Sequence, residues 1–543
     1  MKLDRESCWQ RLASERFDLL VIGGGIVGVG IAWDAALRGL KVALVEKEDF
    51  ASGASSRSSR MIHGGLRYLE YMHFGLVREA SRERGVLLRI APGLVRRTPF
   101  LIPFYAKDCP SPWMMNAGLM LYELLGWVSR NQHHRMLRPE EALTREPTLR
   151  PEGLQGAARY YDALADDARL VWCVAERAME AGATLCNHAE VIQILKGSKG
   201  GVAGAGAKDV LCGREAEIRA GVVVNACGPW ADAIRRLDDP DAEPLLRPTK
   251  GVHLVFRVEG GPRREAIVFN APQDNRKLFL VPWGSFEYVG TTDTDYDGSL
   301  EEVQTEPADI AYTLQAMERA FGRRYEEDRI WSAWAGVRNL LRDEQERPGR
   351  VSREHRYVRS ASGLLTVAGG KLTTFRAMAE QVTSLVLREL GVPRRAARTA
   401  QTALLPPFPE EWEQVESDPR TAELVWNYGA RSWAVIRRML ENPDQAAPLT
   451  KGSSYPWACV EHAIEEELAQ TVSDVLVRRT RTVLEADDGG LGVAAHVAQR
   501  LAEHHGWTLE EQVRQLAQFR GEIDRAHPGR RVGSPVVSAA TSG

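Results

Sequence analysis

Several hallmarks are missing from this 543-residue sequence, and each absence closes off a class of protein. Its seven cysteines, Cys8, Cys109, Cys173, Cys186, Cys212, Cys227 and Cys459, include no CxxC pair. That argues against a zinc site or a disulfide framework and suits a reducing compartment, so no metal is expected. No run reaches the roughly 20 apolar residues that span a bilayer. The opening "MKLDRESCWQRLASERF" lacks the apolar core of a secretory signal. Charge of one sign is missing too: 70 Lys and Arg against 73 Asp and Glu leave a net −3, unlike the basic domain of a nucleic-acid binder. What remains is an ordinary globular composition in a chain too long for one core, so two or three domains are expected.

The first periodic stretch is "FDLLVIGGGIVGVGIAWDAALRGLKVALVEKE", Phe17 to Glu48. A short apolar run, a helical spacing that ends at glycine, and a second apolar run read as a βαβ unit. Its first turn carries Gly23, Gly25 and Gly28 as GxGxxG, and Glu46 closes the second strand. The glycines allow a tight turn, close approach of backbone to a pyrophosphate and close helix packing, and the helix N-terminus favours negative charge. Glu46 is placed to accept hydrogen bonds from ribose hydroxyls. A dinucleotide site follows.

Two later stretches repeat the strand-turn-helix pattern: "AGVVVNACGPWAD", which contains Gly228, and "GLLTVAGGKLTTFRAMAEQV", which contains Gly370, Lys371, Leu372 and Thr373. FAD is commonly gripped by such extra segments, whereas a diffusible nicotinamide cofactor needs little beyond the βαβ unit. The glycine pair Gly369–Gly370 frees backbone N–H groups at a helix start for the electron-rich edge of a flavin. Between them, "ATLCNHAEVIQIL" and "GREAEIRAGVVVN" read as strands joined by a loose surface loop, "KGSKGGVAGAGAKDV". Short runs from Thr249 to Thr294 read as an antiparallel sheet, a wall for a substrate pocket. Pro406, Pro407 and Pro409 break the chain before a strongly helical end. "WMMNAGLMLYELLGWV", Trp113 to Val128, with Arg130, His133, His134, Arg135 and Arg138 after it, reads as a buried or interfacial helix.

Taken together, "VIGGGIVGVGIAWDAALRGLKVALVEKEDFASGASSRSSRMIHGGLRYLE", "VNACGPW", "KGVHLVF", "VGTTDTDY", "WAGVRNLL" and "GGKLTTFR" resemble the FAD-dependent sn-glycerol-3-phosphate dehydrogenases of the respiratory, aerobic type. The resemblance runs from about residue 17 to 525, and "EEELAQTVSDVLVRRTR" is similar to the family's C-terminal domain. It implies an α/β fold: a Rossmann-like FAD domain of the glutathione-reductase and D-amino-acid-oxidase type, an interleaved antiparallel substrate domain, and an all-helical C-terminal domain. The boundaries expected are an N-terminal arm at 1–16; FAD domain at 17–90, 155–240 and 330–385; substrate domain at 91–154 and 241–329; linker at 386–412; helical domain at 413–530; tail at 531–543.

The resemblance also implies roles. Arg67, Arg338 and Lys371 match positions that hold phosphate or substrate oxygens, and Tyr68 would line the pocket. Arginine and lysine suit a phosphomonoester of nearly two negative charges. Ser55, Ser56, Ser58 and Ser59, in "SGASSRSSR", would contact the pyrophosphate and ribityl chain, with His63 and Gly64 on the cofactor side and Gly64 and Gly65 making room. The C2 hydroxyl proton needs an acceptor with a pKa near neutral, and histidine is the usual choice. His253 is the expected base, with Arg338 and Arg67 beside it and His63 second. Ala54 stands where members often have threonine, and Asn339 where proline commonly follows the "GVR" arginine.

sn-Glycerol 3-phosphate would be oxidised to dihydroxyacetone phosphate and electrons passed to a membrane quinone, with the protein cytoplasmic and peripheral on the inner membrane face. An oxidase reading (oxygen as acceptor), an amine-oxidase reading and a non-catalytic flavoprotein stand as alternatives. The C-terminal helices would brace a homodimer or cover the catalytic domain.

Overall fold

The computed structural model describes residues 4–105, 111–126, 133–258, 261, 263–342, 355–414 and 419–529. Two sheets organise them. The first runs Arg356–Arg359, Leu365–Ala368, Glu215–Asn225, Arg16–Ile22, Val42–Val45, Thr184–Cys186, with Val202–Asp209 pairing Glu215–Asn225 and Ala189–Lys196 beyond it. Its central strands are parallel, as a βαβ unit requires. Leu19, Leu20 and Val21 are wholly buried because helices and loops cover both faces. The helix Ile26–Leu37 is apolar almost all round, since it is packed between the helices Asp167–Glu180 and Phe375–Glu389. Gly30 permits that packing: a Cβ there would lie 2.8 Å from the Phe375 ring.

The second sheet runs Thr294–Asp295, Leu246–Arg257, Phe286–Gly290, Lys277–Trp283, Ala266–Asn270, Val95–Tyr105, Leu154–Ala165, Met61–Ile62, with Ile330–Leu341 against Leu246–Arg257 and Arg135–Leu137 against Leu154–Ala165. It is largely antiparallel, as the short runs from Thr249 to Thr294 suggest. Leu154–Ala165 and Ile330–Leu341 belong here, although the expected boundaries at 155 and 330 assign nearly all of both to the FAD domain. Each is the strand by which the chain crosses between sheets, so burial pattern alone does not assign it.

Other expectations change in the same way. The presumed loop contains the strand Val202–Asp209, whose Ala205 and Ala207 are fully buried. Small residues are required there, since a Cβ on Gly204 would overlap the Ile218 carbonyl. Within the expected N-terminal arm, the described residues from Asp4 on are packed down: the helix Arg5–Ser14 buries Trp9 and Leu12, and Arg5 ion-pairs with Asp209 at 2.9 Å. The 386–412 linker is packed down, with Leu404 and Leu405 buried and Leu404 N–H donating to Ile90 O at 2.7 Å. The tail 531–543 and Cys109 lie outside the described residues.

The C-terminal helices are Pro419–Tyr428, Ser432–Glu441, Ala458–Glu466, the π-helical Asp474–Arg479, Thr482–Glu485, Leu491–His505 and Leu509–Ala526, joined by turns and 3-10 segments. "WACVEHAIEEELAQTVSDVLVRRTRTVL" is not one helix. It stops at Glu466, and Asp474 accepts N–H bonds from Gln470 and Thr471 where a continuous helix would have none. These helices dock on both sheets. Ser332 Oγ donates to Leu484 O at 2.8 Å, and Asp49, at the end of the βαβ unit, takes both Arg478 (2.8 Å) and Arg479 (2.6 Å).

Inside this docked domain, buried His462 sits between Glu466 (3.6 Å) and Glu467 (3.3 Å), which outweigh burial and lift the imidazole to about 9. The raised folded pKa makes its contribution complete below the unfolded value of about 6.5 and lost as pH rises through about 9. The linked stability is roughly 3 kcal/mol. Chemical denaturation from pH 6.5 to 9.5 should show wild-type stability falling across that window and His462→Gln falling less. Equal slopes would refute the assignment.

Candidate active site

A cavity of about 760 Å³ lies between the two sheets. One end is the dinucleotide turn: Gly23, Gly25 and Glu46 line it, with Ser55 and Gly228 beside them. Glycine is required at two of these turn positions. Gly23 has φ +109° and a Cβ on it would lie 2.7 Å from Ala226 O, while a Cβ on Gly28 would overlap the Gly23 carbonyl. Gly28 thus does not line the cavity; it lets the helix close on the turn. Glu46 accepts from Gly24 N–H at 2.6 Å and Glu48 N–H at 3.0 Å, and burial raises its pKa. Ser55 Oγ accepts from Ile26 N–H at 3.0 Å at the helix start.

The other end is the second sheet with "GGKLTT". His63, Gly65, Tyr68, His253, Arg338, Gly370, Lys371, Leu372 and Thr373 all line the cavity. Gly369 and Gly370 have φ of +76° and +92°, which glycine alone tolerates readily. Lys371 Nζ stands 3.7 Å over the Tyr68 ring, and His63 N–H donates to Thr373 Oγ1 at 3.1 Å. The Arg67 side chain lies outside the described residues.

His253 is buried, stacked on Trp334 at 4.7 Å and edge-on to Tyr288 at 5.9 Å. Its Nε2 is 2.8 Å from Ser59 Oγ, and Nδ1 is buried without a hydrogen-bond partner. Burial, then the charges of Arg338 and Arg60, hold the imidazole well below the ordinary histidine range, so it is neutral at neutral pH. Arg338 is fixed by Asp293 at 2.8 Å and by Thr291 Oγ1 at 3.2 Å, and the other Asp293 oxygen takes Arg276 at 2.8 Å.

Several of the expected cofactor-side residues are engaged elsewhere in the fold. Ser56 does not line the cavity. Ser58 lines it, but its hydroxyl is turned to Asp167 at 2.7 Å, and its carbonyl accepts from Trp334 Nε1. Gly64 is also outside the lining: its N–H donates to Asp162 at 3.2 Å, and a Cβ on it would overlap Tyr122 and Ser81. It makes room for Ser81 of the helix Phe74–Ile90 and Tyr122 of the helix Pro112–Gly126. Gly65 does line the cavity.

Other contributors are not among the expected cofactor or substrate residues. Gly290 leaves space for His253, since a Cβ there would overlap the imidazole, and a Cβ on Gly251 would lie 2.6 Å from Thr291 Oγ1 and 3.0 Å from Arg338. Arg276 brings a second guanidinium to the cavity. Asn339, in place of the common proline, donates to Gly369 O at 3.5 Å and ties the strand Ile330–Leu341 to the glycine turn.

The donor set fits FAD. The glycine cradle and helix start suit a pyrophosphate, and an apolar-walled cavity runs from that turn to the His253 end. Comparison with known proteins agrees. The model of the FAD dependent oxidoreductase family matches residues 18–385, and that of the C-terminal domain of alpha-glycerophosphate oxidase matches 374–512. "Glycerol-3-phosphate dehydrogenase 2" of Mycobacterium bovis is 36% identical over 96% of this chain and 90% of its own. The "Aerobic glycerol-3-phosphate dehydrogenase" of Bacillus subtilis is 35% identical over 88% and 89%. The glycerol-3-phosphate dehydrogenase from Bacillus halodurans, solved with FAD, superposes with a TM-score of 0.80 at 29% identity, covering 97% of this chain and 99% of that one. The chain belongs to the FAD-dependent glycerol-3-phosphate dehydrogenase family, within the D-amino-acid-oxidase-like flavoprotein oxidoreductases, and FAD is its cofactor.

Proposed function

We propose that this protein oxidises sn-glycerol 3-phosphate to dihydroxyacetone phosphate and delivers the electrons to a membrane quinone. The observation that carries the reading is a cationic cavity end, with Arg338, Arg276 and Lys371, beside a neutral buried His253. FAD, when bound, supplies the acceptor for the C2 hydride. The protein's own groups do the rest. Arg338, preset by Asp293, and Lys371 hold the phosphate with directional donors; Tyr68 keeps Lys371 in place by cation–π contact. His253 takes the C2 hydroxyl proton, with the Ser59 hydroxyl bridging to Nε2. Arg67 joins the phosphate set on the strength of the family resemblance.

Arg338→Ala tests the substrate. A charge-assisted hydrogen bond is worth about 1.5–3 kcal/mol, so KM for sn-glycerol 3-phosphate should rise roughly 10- to 150-fold. Any residual oxidation of glycerol should be unchanged. An equal loss with both substrates would show that Arg338 does not read the phosphate.

Docking to the membrane rests on the helix Pro112–Gly126. Met115, Leu119 and Tyr122 are buried, while Trp113 (72%), Met120 (57%) and Leu124 (74%) face outward, with Met72 and Phe74 exposed as well. Among the described residues no helix is long and apolar enough to cross a membrane, so contact would be interfacial. Anionic liposomes at low salt should sediment the protein, and Trp113→Glu with Leu124→Glu should release it. Protein that stays in the supernatant would end this part of the proposal. The match to an oxidase C-terminal domain favours one second reading, oxygen as acceptor. Peroxide formed mole for mole with substrate consumed would decide for it.

A further inference from the structure

At the dinucleotide end of the cavity the bodies of the two sheets touch through three side chains that take no part in the chemistry above. Lys47 follows Glu46 at the end of the βαβ unit, and Trp230 closes the "CGPW" turn, both on the first sheet. Glu301 comes from the loop between the strand Thr294–Asp295 and the helix Pro307–Phe321, which belongs to the second. All three line the cavity. A single carboxylate oxygen, Glu301 Oε1, pairs with Lys47 Nζ and accepts from Trp230 Nε1 at 2.8 Å. Lys47 Nζ in turn stands 4.6 Å over the Trp230 ring, so each member of the triangle touches the other two.

The supports of this triangle are firm. The Trp230 ring packs on Gly53, where a Cβ would lie 2.8 Å from it, so the indole rests on the serine-rich turn that brings Ser55 to the cavity. The Glu301 loop is braced from within: Tyr296 N–H donates to Pro248 O at 3.0 Å, the Tyr296 hydroxyl donates to Ser299 O at 2.7 Å, Ser299 Oγ accepts from Glu301 N–H at 3.3 Å, and Val303 is buried. The contact between them is soft. The Lys47 and Glu301 side chains are 29% and 50% exposed, so water competes for the pair and salt screens it. Such a pair adds little to folding, yet it spans the two sheets beside the residue that faces the ribose, and it can part without unfolding either one.

We propose that Glu301 latches the cavity over bound FAD: the triangle with Lys47 and Trp230 opens for the cofactor to pass, closes behind it and slows its release. The latch depends on FAD as cofactor and holds whichever substrate and acceptor the flavin serves.

The test is exchange of the bound FAD of the full-length holoenzyme against an excess of isotopically labelled FAD, read by mass spectrometry after gel filtration. Glu301→Ala should speed exchange roughly 3- to 20-fold, the effect of losing an exposed ion pair and one hydrogen bond together. Trp230→Phe, which keeps a ring under Lys47 and loses the indole N–H, should speed it less. Raising the ionic strength from about 0.05 to about 0.5 M should accelerate exchange in the wild type and leave Glu301→Ala nearly unmoved. Lys47→Met should cost less in the Glu301→Ala background than in the wild type. Wild-type exchange in Glu301→Ala, an equal salt response in the two proteins, or additive effects of the Lys47 and Glu301 substitutions would each overturn the latch.

Discussion

His253→Ala should slow anaerobic flavin reduction by sn-glycerol 3-phosphate about 10²–10⁴-fold, the usual cost of removing a general base. The reasoning starts from register. His253 pairs with Gly290 on one side and Trp334 on the other, so a glycine and a flat indole fix the ring in one plane, with Ser59 at Nε2. The variant leaves a hole beside Trp334, and His253→Gln therefore serves as the control. It fills the space and keeps a polar contact to Ser59 but offers no basic nitrogen. Both should keep their FAD and both should be slow. Because the imidazole is held below the ordinary histidine range, wild-type kcat/KM should persist as pH falls through about 6.5 and drop only at lower pH. Near-normal turnover in either variant with flavin bound would remove His253 from the mechanism.

The second large effect is expected at Asp49→Ala. This fully buried carboxylate accepts from Arg478 Nε, from Arg479 Nη1 and Nη2, and from Asn187 Nδ2 at 3.0 Å. It follows the second strand of the βαβ unit by four residues, and Ala51 N–H nearby donates to Gly24 O at 3.2 Å. One side chain thus joins the cofactor turn to the C-terminal helices. Its removal leaves two guanidiniums buried without it, a loss of roughly 3–5 kcal/mol in the general case. A lowered melting midpoint and release of FAD on gel filtration should appear together. Asp49→Asn, which keeps the shape and one acceptor, should lie between. Wild-type melting and flavin retention in Asp49→Ala would mean that the helical domain does not brace the cofactor turn.

The parts of the fold that follow from local spacing could be read directly. GxGxxG between two apolar runs, and the glycine turns at Gly228 and Gly370, need no distant partner to be recognised, and all border one cavity. The same holds for His253, Arg338 and Lys371, whose surrounding motifs are specific. Less legible were residues whose surroundings depend on what the fold brings behind them. Gly64 looks like a cofactor glycine until Tyr122 is found packed on it. Ser58 looks like a phosphate ligand until Asp167, 109 residues away, claims its hydroxyl. Val202–Asp209 has the composition of a loop and becomes a strand because its alanines must fit against buried neighbours. Asp49 and Arg478 are 429 residues apart, and no periodicity announces such a pair. Arg276 carried no local motif either; Asp293, Gly251 and Gly290 lie within quoted motifs, but the side chains they hold or admit come from other strands.

The account stands or falls on the half-reaction. Under anaerobic conditions, sn-glycerol 3-phosphate should bleach the oxidised flavin band of the purified protein to completion, while glycerol and D-alanine at the same concentration leave it largely unchanged over the same interval. Bleaching by D-alanine, or none by the phosphate ester with FAD plainly bound, would contradict the assignment of this cavity to a phosphorylated alcohol.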